Sequence, residues 1–128
     1  MASGVAATIF GAFLAVVALF QLALALGAPW GHLAMGGAVP GAYPPGMRVA
    51  ALVQVAVLGL AGLIVFVRAG LVLPQWMPLS RRLVWGVVGL LAVSAVLNLI
   101  TPSPTERLVW SPVALILLLS SLRVALGR

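Results

Sequence analysis

Four long apolar runs, Val5–Leu26, Val49–Val67, Leu83–Ile100 and Leu108–Leu126, decide what this chain can become. A hydrocarbon core about 30 Å thick is crossed by about 20 helical residues, and each run has about that length. In lipid every backbone N–H and C=O must be paired internally, which a helix does within its own segment. Of the 128 residues, 64% are hydrophobic and 6% charged, against about 25% charged in soluble domains. The expected fold is all-α: one polytopic membrane domain over residues 1–128, a bundle of four transmembrane helices. Their expected spans are about 5–26, 47–69, 81–101 and 104–126, with the longest loop at 28–47.

Local signals set these borders. Gly27-Ala28-Pro29 ends the first helix and Pro44-Pro45-Gly46 precedes the second. Arg68 and Gly70 close the second, Ser80 is placed to cap the third, and Pro102 halts it. Ser103-Pro104-Thr105-Glu106 has the pattern of a capping box, with Ser as cap, Pro at the first helical position and Glu three residues after the cap. Glu106 then has a structural task of its own, bonding the cap's N–H beside the positive end of the helix dipole. The small residues Ala23, Ala25 and Gly27 resemble a signal-peptide cleavage site. Residues 1–4 hold no Lys or Arg, however, so the first run is read as a retained span.

Arginine placement orients the bundle. Arg68, Arg81, Arg82, Arg123 and Arg128 fall at the end that carries both termini, and Arg48 and Arg107 at the other. Cytoplasmic ends are enriched in Lys and Arg, so the expected topology is N-in/C-in, multi-pass in a plasma membrane. Trp30, Tyr43 and Trp110 would form an aromatic belt at the outer interface, with Trp76 and Trp85 at the inner one.

The same composition removes many chemistries. There is no Cys and no Asp, one Glu (Glu106) and one His (His32). A metal site needs three or four ligands, which one imidazole and one carboxylate do not supply. No cofactor is expected. The net charge of +6 is carried by arginines set singly or in pairs between apolar runs, which argues for topology rather than nucleic acid.

Polar residues inside lipid usually face the bundle interior, where they pair or line a cavity. Gln21 lies near the outer end of the first helix and Gln54 less than two turns below the outer end of the second. Asn98 is in the last turn of the third. Ser111 is two turns into the fourth, beside Pro112, whose ring denies the Leu108 carbonyl its intrahelical donor. All four belong to the outer leaflet, with Arg48, Glu106 and Arg107 at the rim. In the inner half, Thr8, Ser120 and Ser121 can bond back to their own helices. Above the outer half lies a Gly- and Pro-rich loop containing Trp30, His32, Met35 and Tyr43, long enough to serve as a lid. Two readings stand. The amides bond helix to helix, or they line a lidded cavity for an amphiphile, with amides for a neutral head and Arg48 or Arg107 for an anionic one. Small residues at four-residue spacing, Ala7, Gly11 and Ala15, with Gly59, Gly62, Gly86 and Gly89, point to close helix packing within the chain or against a second copy.

Gly27-Ala28-Pro29-Trp30-Gly31 and Trp110-Ser111-Pro112 resemble elements of a group of small bacterial four-helix membrane proteins. In that group a Gly-x-x-Trp-Gly element ends the first helix and a Trp or Tyr-Ser-Pro step opens the last. The likeness spans nearly the whole chain and implies architecture alone. The chain departs from the group at Gln21-Leu22-Ala23-Leu24, where a His-x-x-Trp is the rule. Small multidrug exporters carry a carboxylate in their first helix, and none stands there in this chain.

Three functions are weighed. The first is a non-enzymatic binding or accessory protein, whose outer pocket takes a lipid-like amphiphile or whose surface joins a larger membrane assembly; Gln21, Trp30, His32, Arg48, Gln54, Asn98, Glu106, Arg107, Trp110 and Ser111 are its candidate ligand-binding residues. The second is a homo-oligomeric transporter or channel, although no carboxylate or His lies at mid-depth to couple protons. The third is a membrane-surface enzyme using His32 or Glu106 as acid or base.

Overall fold

A computed structural model describes residues 2–34 and 37–127 of the chain. Met35 and Arg128, which entered the loop and charge readings above, lie outside the described residues. Four long helices make up the fold: α1 (Ser3–Ala25), α2 (Pro45–Arg68), α3 (Met77–Ile100) and α4 (Pro104–Leu126). All four are long and apolar enough to cross a membrane. Antiparallel packing of α1 on α2 follows from their register: a Cβ on Gly11 would meet Phe66, and one on Gly62 would meet Leu14. The neighbouring pairs run α1–α2, α2–α3, α3–α4 and α4–α1, and of these α2 and α3 touch least. Below, the end that carries loop 28–44 is the lid end, and the end that carries the termini is the base.

The helix ends obey the local chemistry. At the end of α1, Gly27 takes a positive φ of 103°, and the N–H groups of Gly27 and Ala28 return to the carbonyls of Leu24 and Ala23. This double closure satisfies carbonyls that the helix leaves open. Gly70 closes α2 the same way onto Val67 and Phe66. One border differs from expectation: α3 begins at Met77, not near residue 81, with a short 3-10 turn at Pro74–Trp76 before it. Pro78 fits the first turn of a helix, where no intrahelical N–H bond is lost. Ser80 therefore is not a cap; it lies within α3 and its hydroxyl donates to Met77 O at 2.7 Å.

Packing is concentrated at the base. Ala6, Ala7, Phe10, Leu14, Leu58, Ala61, Val65, Val84, Val87, Leu91, Leu117 and Val124 form one continuous buried cluster. Ala7 and Gly11 belong to this close approach, whereas Ala15 is exposed and a Cβ on Gly59, Gly86 or Gly89 would meet open space. Thr8, Ser120 and Ser121 donate to Gly4 O, Ile116 O and Leu118 O, so their hydroxyls are paired inside their own helices. Large side chains such as Leu19, Leu60, Ile100 and Leu108 point outward at 59–80% exposure. A coat of this kind is incompatible with water and suited to lipid.

Two arginines tie α2 to its neighbours. At the lid end the Arg48 guanidinium fills the place that a Cβ on Gly27 would take, over the C-terminus of α1. At the base Arg68 does the same over Gly127, and its Nη2 donates to Ala125 O at 3.5 Å. Each places a cation at the negative end of a helix dipole.

Candidate functional site

Within the lid half the helices do not close on one another. Between them lies a half-open cavity of about 430 Å³. Its floor is Leu58, Leu91 and Leu117, the upper edge of the basal cluster. Its polar wall comes from all four helices and the loop: Gln21, Tyr43, Gln54, Ser94, Asn98 and Glu106. Phe20 and Trp110, with ring centroids 4.7 Å apart, add an aromatic side.

The amides divide by their bonding. Asn98 Nδ2 donates to Ser94 O at 2.8 Å, a bond back to its own helix. Gln21 and Gln54 line the cavity and have no hydrogen-bond partner among the described residues. Such groups would hold water or a ligand, because leaving them dry in an apolar site costs roughly 1–3 kcal/mol each. The only helix-to-helix hydroxyl bond at this level is Ser111 Oγ to Asn98 O, 2.9 Å, which joins α4 to α3 among the described residues.

The cavity's roof is pinned. Leu33 and Ala34 of the loop line it, and the Trp110 indole N–H donates to Leu33 O at 2.8 Å. Close to this point Gly31 N–H donates to Gly41 O, and a Cβ on Gly31 would strike the carbonyls of Val39 and Gly41. Only glycine fits where the loop folds onto itself this tightly. Leu24, Tyr43 and Ala51 form a small buried cluster beneath it.

The mouth is lateral. Of the lining residues only Ala50 and Gln54 are exposed. At 100° per residue they lie on the opposite flank of α2 from Gly62 and Phe66, which face α1, and so on the α3 side. The cavity therefore opens through the loosest seam of the bundle, between α2 and α3.

Among the described residues, Glu106 and the Tyr43 phenol are the ionisable side chains on the cavity wall. Glu106 is 8% exposed and accepts from Thr101 Oγ1 at 3.3 Å. At the cap of α4, Ser103 Oγ accepts from Glu106 N–H at 3.3 Å, and Ser103 N–H donates to Thr101 Oγ1 at 3.5 Å. Burial first, and the charge of Glu106 second, push the Tyr43 phenol above its ordinary value.

Of the sequence-derived candidates, Gln21, Gln54, Asn98, Glu106 and Trp110 come together on the wall, and Ser111 stands behind Asn98. Trp30 and His32 are exposed on the loop, Arg107 is exposed on α4, and Arg48 is turned toward Gly27; none of these four lines the cavity. The arginines expected for an anionic head thus sit apart from it. Tyr43 and Trp110, expected in an interfacial belt, line the cavity: Tyr43 is buried against Leu24 and Ala51, and Trp110 bonds Leu33 O. Tyr43, Phe20 and Ser94 were not among the candidates. Ser94 had a signal, standing one turn before Asn98 on the same face.

Comparison with protein-family models, with curated proteins and with solved structures gives no match. Function is therefore read from the cavity.

Proposed function

We propose that this protein is a non-enzymatic integral membrane protein that binds an amphiphile in the cavity at its lid end, with both termini cytoplasmic. The observation that carries the reading is a lateral mouth leading to two amides, Gln21 and Gln54, that have no hydrogen-bond partner among the described residues. An amphiphile satisfies both features. Its tail stays in the apolar seam and its head replaces the missing hydrogen-bond partners. The orientation rests on Arg68, Arg81, Arg82 and Arg123 standing at the base, against Arg48 and Arg107 at the lid end.

The alternatives fare worse on the same geometry. A transport path would have to cross the basal cluster from Phe10 to Val124, which is buried and apolar. An acid–base pair of His32 and Glu106 would need both at one cavity, and His32 is exposed on the loop away from its lining. Service within a larger assembly is compatible with ligand binding and shares its test.

Native mass spectrometry of protein extracted in mild detergent tests the reading. A lipid-sized adduct is expected on the wild type. Ala114→Phe, at a buried wall position, fills the cavity and should lower its occupancy at least about tenfold. An adduct that survives the substitution unchanged, or its absence from the wild type, would overturn the proposal.

A further inference from the structure

A second hollow lies at the base, also between α2 and α3 but sharing no residue with the cavity. It is a groove of about 190 Å³, walled by Ile64 and Val67 of α2, by Leu79 and Leu83 of α3, and by Leu73 and Trp76 of the connection between them. Leu73 alone among the described non-glycine residues has a positive φ, 43°, so the connection holds a costly bend where it meets the groove. The Ser80 hydroxyl in this wall is already paired, donating to Met77 O. Such a groove suits an acyl chain and is too small for a partner helix, about 10 Å across.

Its rim differs in kind. Arg82 is exposed, has no partner among the described residues and lies about 60° round α3 from Leu79. Side chains of a helix lean toward its N-terminus, which for α3 is the base, so the guanidinium reaches back along the groove toward the surface. Arg68, by contrast, is committed to the end of α4. No acidic side chain balances the base, since Glu106 is the chain's one acid and stands on the lid-end cavity. The half-exposed Trp76 is an aromatic of the kind that anchors at headgroup level. We propose that the groove seats one acyl chain of an anionic phospholipid, with Arg82 holding its phosphate. Arginine meets phosphate oxygens with paired N–H donors. A zwitterionic lipid presents the same phosphate together with a choline cation, which no acidic side chain at the base complements. This site is independent of the amphiphile cavity, and either stands without the other.

Tryptophan quenching by brominated acyl chains, read on the whole chain in phosphatidylcholine nanodiscs, tests the site. The brominated lipid is phosphatidylglycerol or phosphatidylcholine at the same small fraction. Phosphatidylglycerol should be preferred at least about fivefold, the effect of one arginine at an anionic surface. The preference should vanish in Trp76→Phe and persist in Trp85→Phe, because Trp85 is similarly exposed but lies about 160° round α3 from Leu83. Arg82→Gln should bring the two lipids within about twofold, and Arg82→Lys, which keeps the charge, should retain their order. Arg81→Gln removes the same charge about 160° round from Leu79 and should leave the preference intact. Equal quenching by both lipids, a preference read by Trp85, or equal losses in Arg81→Gln and Arg82→Gln would overturn the proposal.

Discussion

The base and the lid end of this bundle are built from the same four helices and differ in what lies between them. At the base Phe10, Val65, Val84 and Val124 are wholly buried against one another. Three to five turns higher the same helix faces present Gln21, Gln54, Asn98 and Glu106 to a space they do not fill. The difference teaches that stability and binding are spatially separated here. The basal core holds the helices, so the lid half can remain hollow.

That separation can be broken by substitution. The largest effect is expected from Phe10→Ala, which leaves a void in the basal core and should cost about 3–5 kcal/mol, read from thermal unfolding in nanodiscs. Gln54→Leu, at the cavity mouth, should stay within about 0.5 kcal/mol because no bond is lost. Comparable losses at both positions would mean that the lid half is structural too. A middle-sized effect tests the α1–α2 contact. Gly62→Ala places a Cβ 2.8 Å from Leu14 Cδ2 and should destabilise by about 1–3 kcal/mol. Gly59→Ala meets nothing and should be neutral or gain up to about 1 kcal/mol from helix propensity. The smallest effect concerns the roof. Trp110→Phe removes the bond to Leu33 O, worth about 1 kcal/mol, and should speed proteolysis within the loop about fivefold without lowering the melting temperature of the base.

Much of this contrast was legible in the sequence, because hydropathy and period act locally. The four spans follow from runs that cannot be satisfied in water, and α4 begins at Pro104 as its capping residues require. The depths of Gln21, Gln54 and Asn98 follow from counting turns. Less legible was which way long side chains point. Arg48 and Glu106 are both rim residues by sequence. Arg48 is drawn to the carbonyl end of α1, whose closing glycine leaves room for it, while Glu106 lines the cavity and accepts from Thr101, a residue outside the capping pattern. The inward turn of Trp110 was hidden for the same reason: its partner, Leu33 O, lies in the loop, and a partner distant in sequence leaves no local trace. The early start of α3 reflects Pro78, a residue that reads as a breaker yet is tolerated in a first turn.

The clamp of Arg68 on the end of α4 carries a mechanical corollary. It ties α2 to α4 at the base, whereas at the lid end Arg48 ties α2 only to α1. At the lid end α4 is joined to α1 and the loop instead, through Phe20 and Leu33, so the α2–α3 seam near Gln54 is the flank of the bundle that neither arginine fastens.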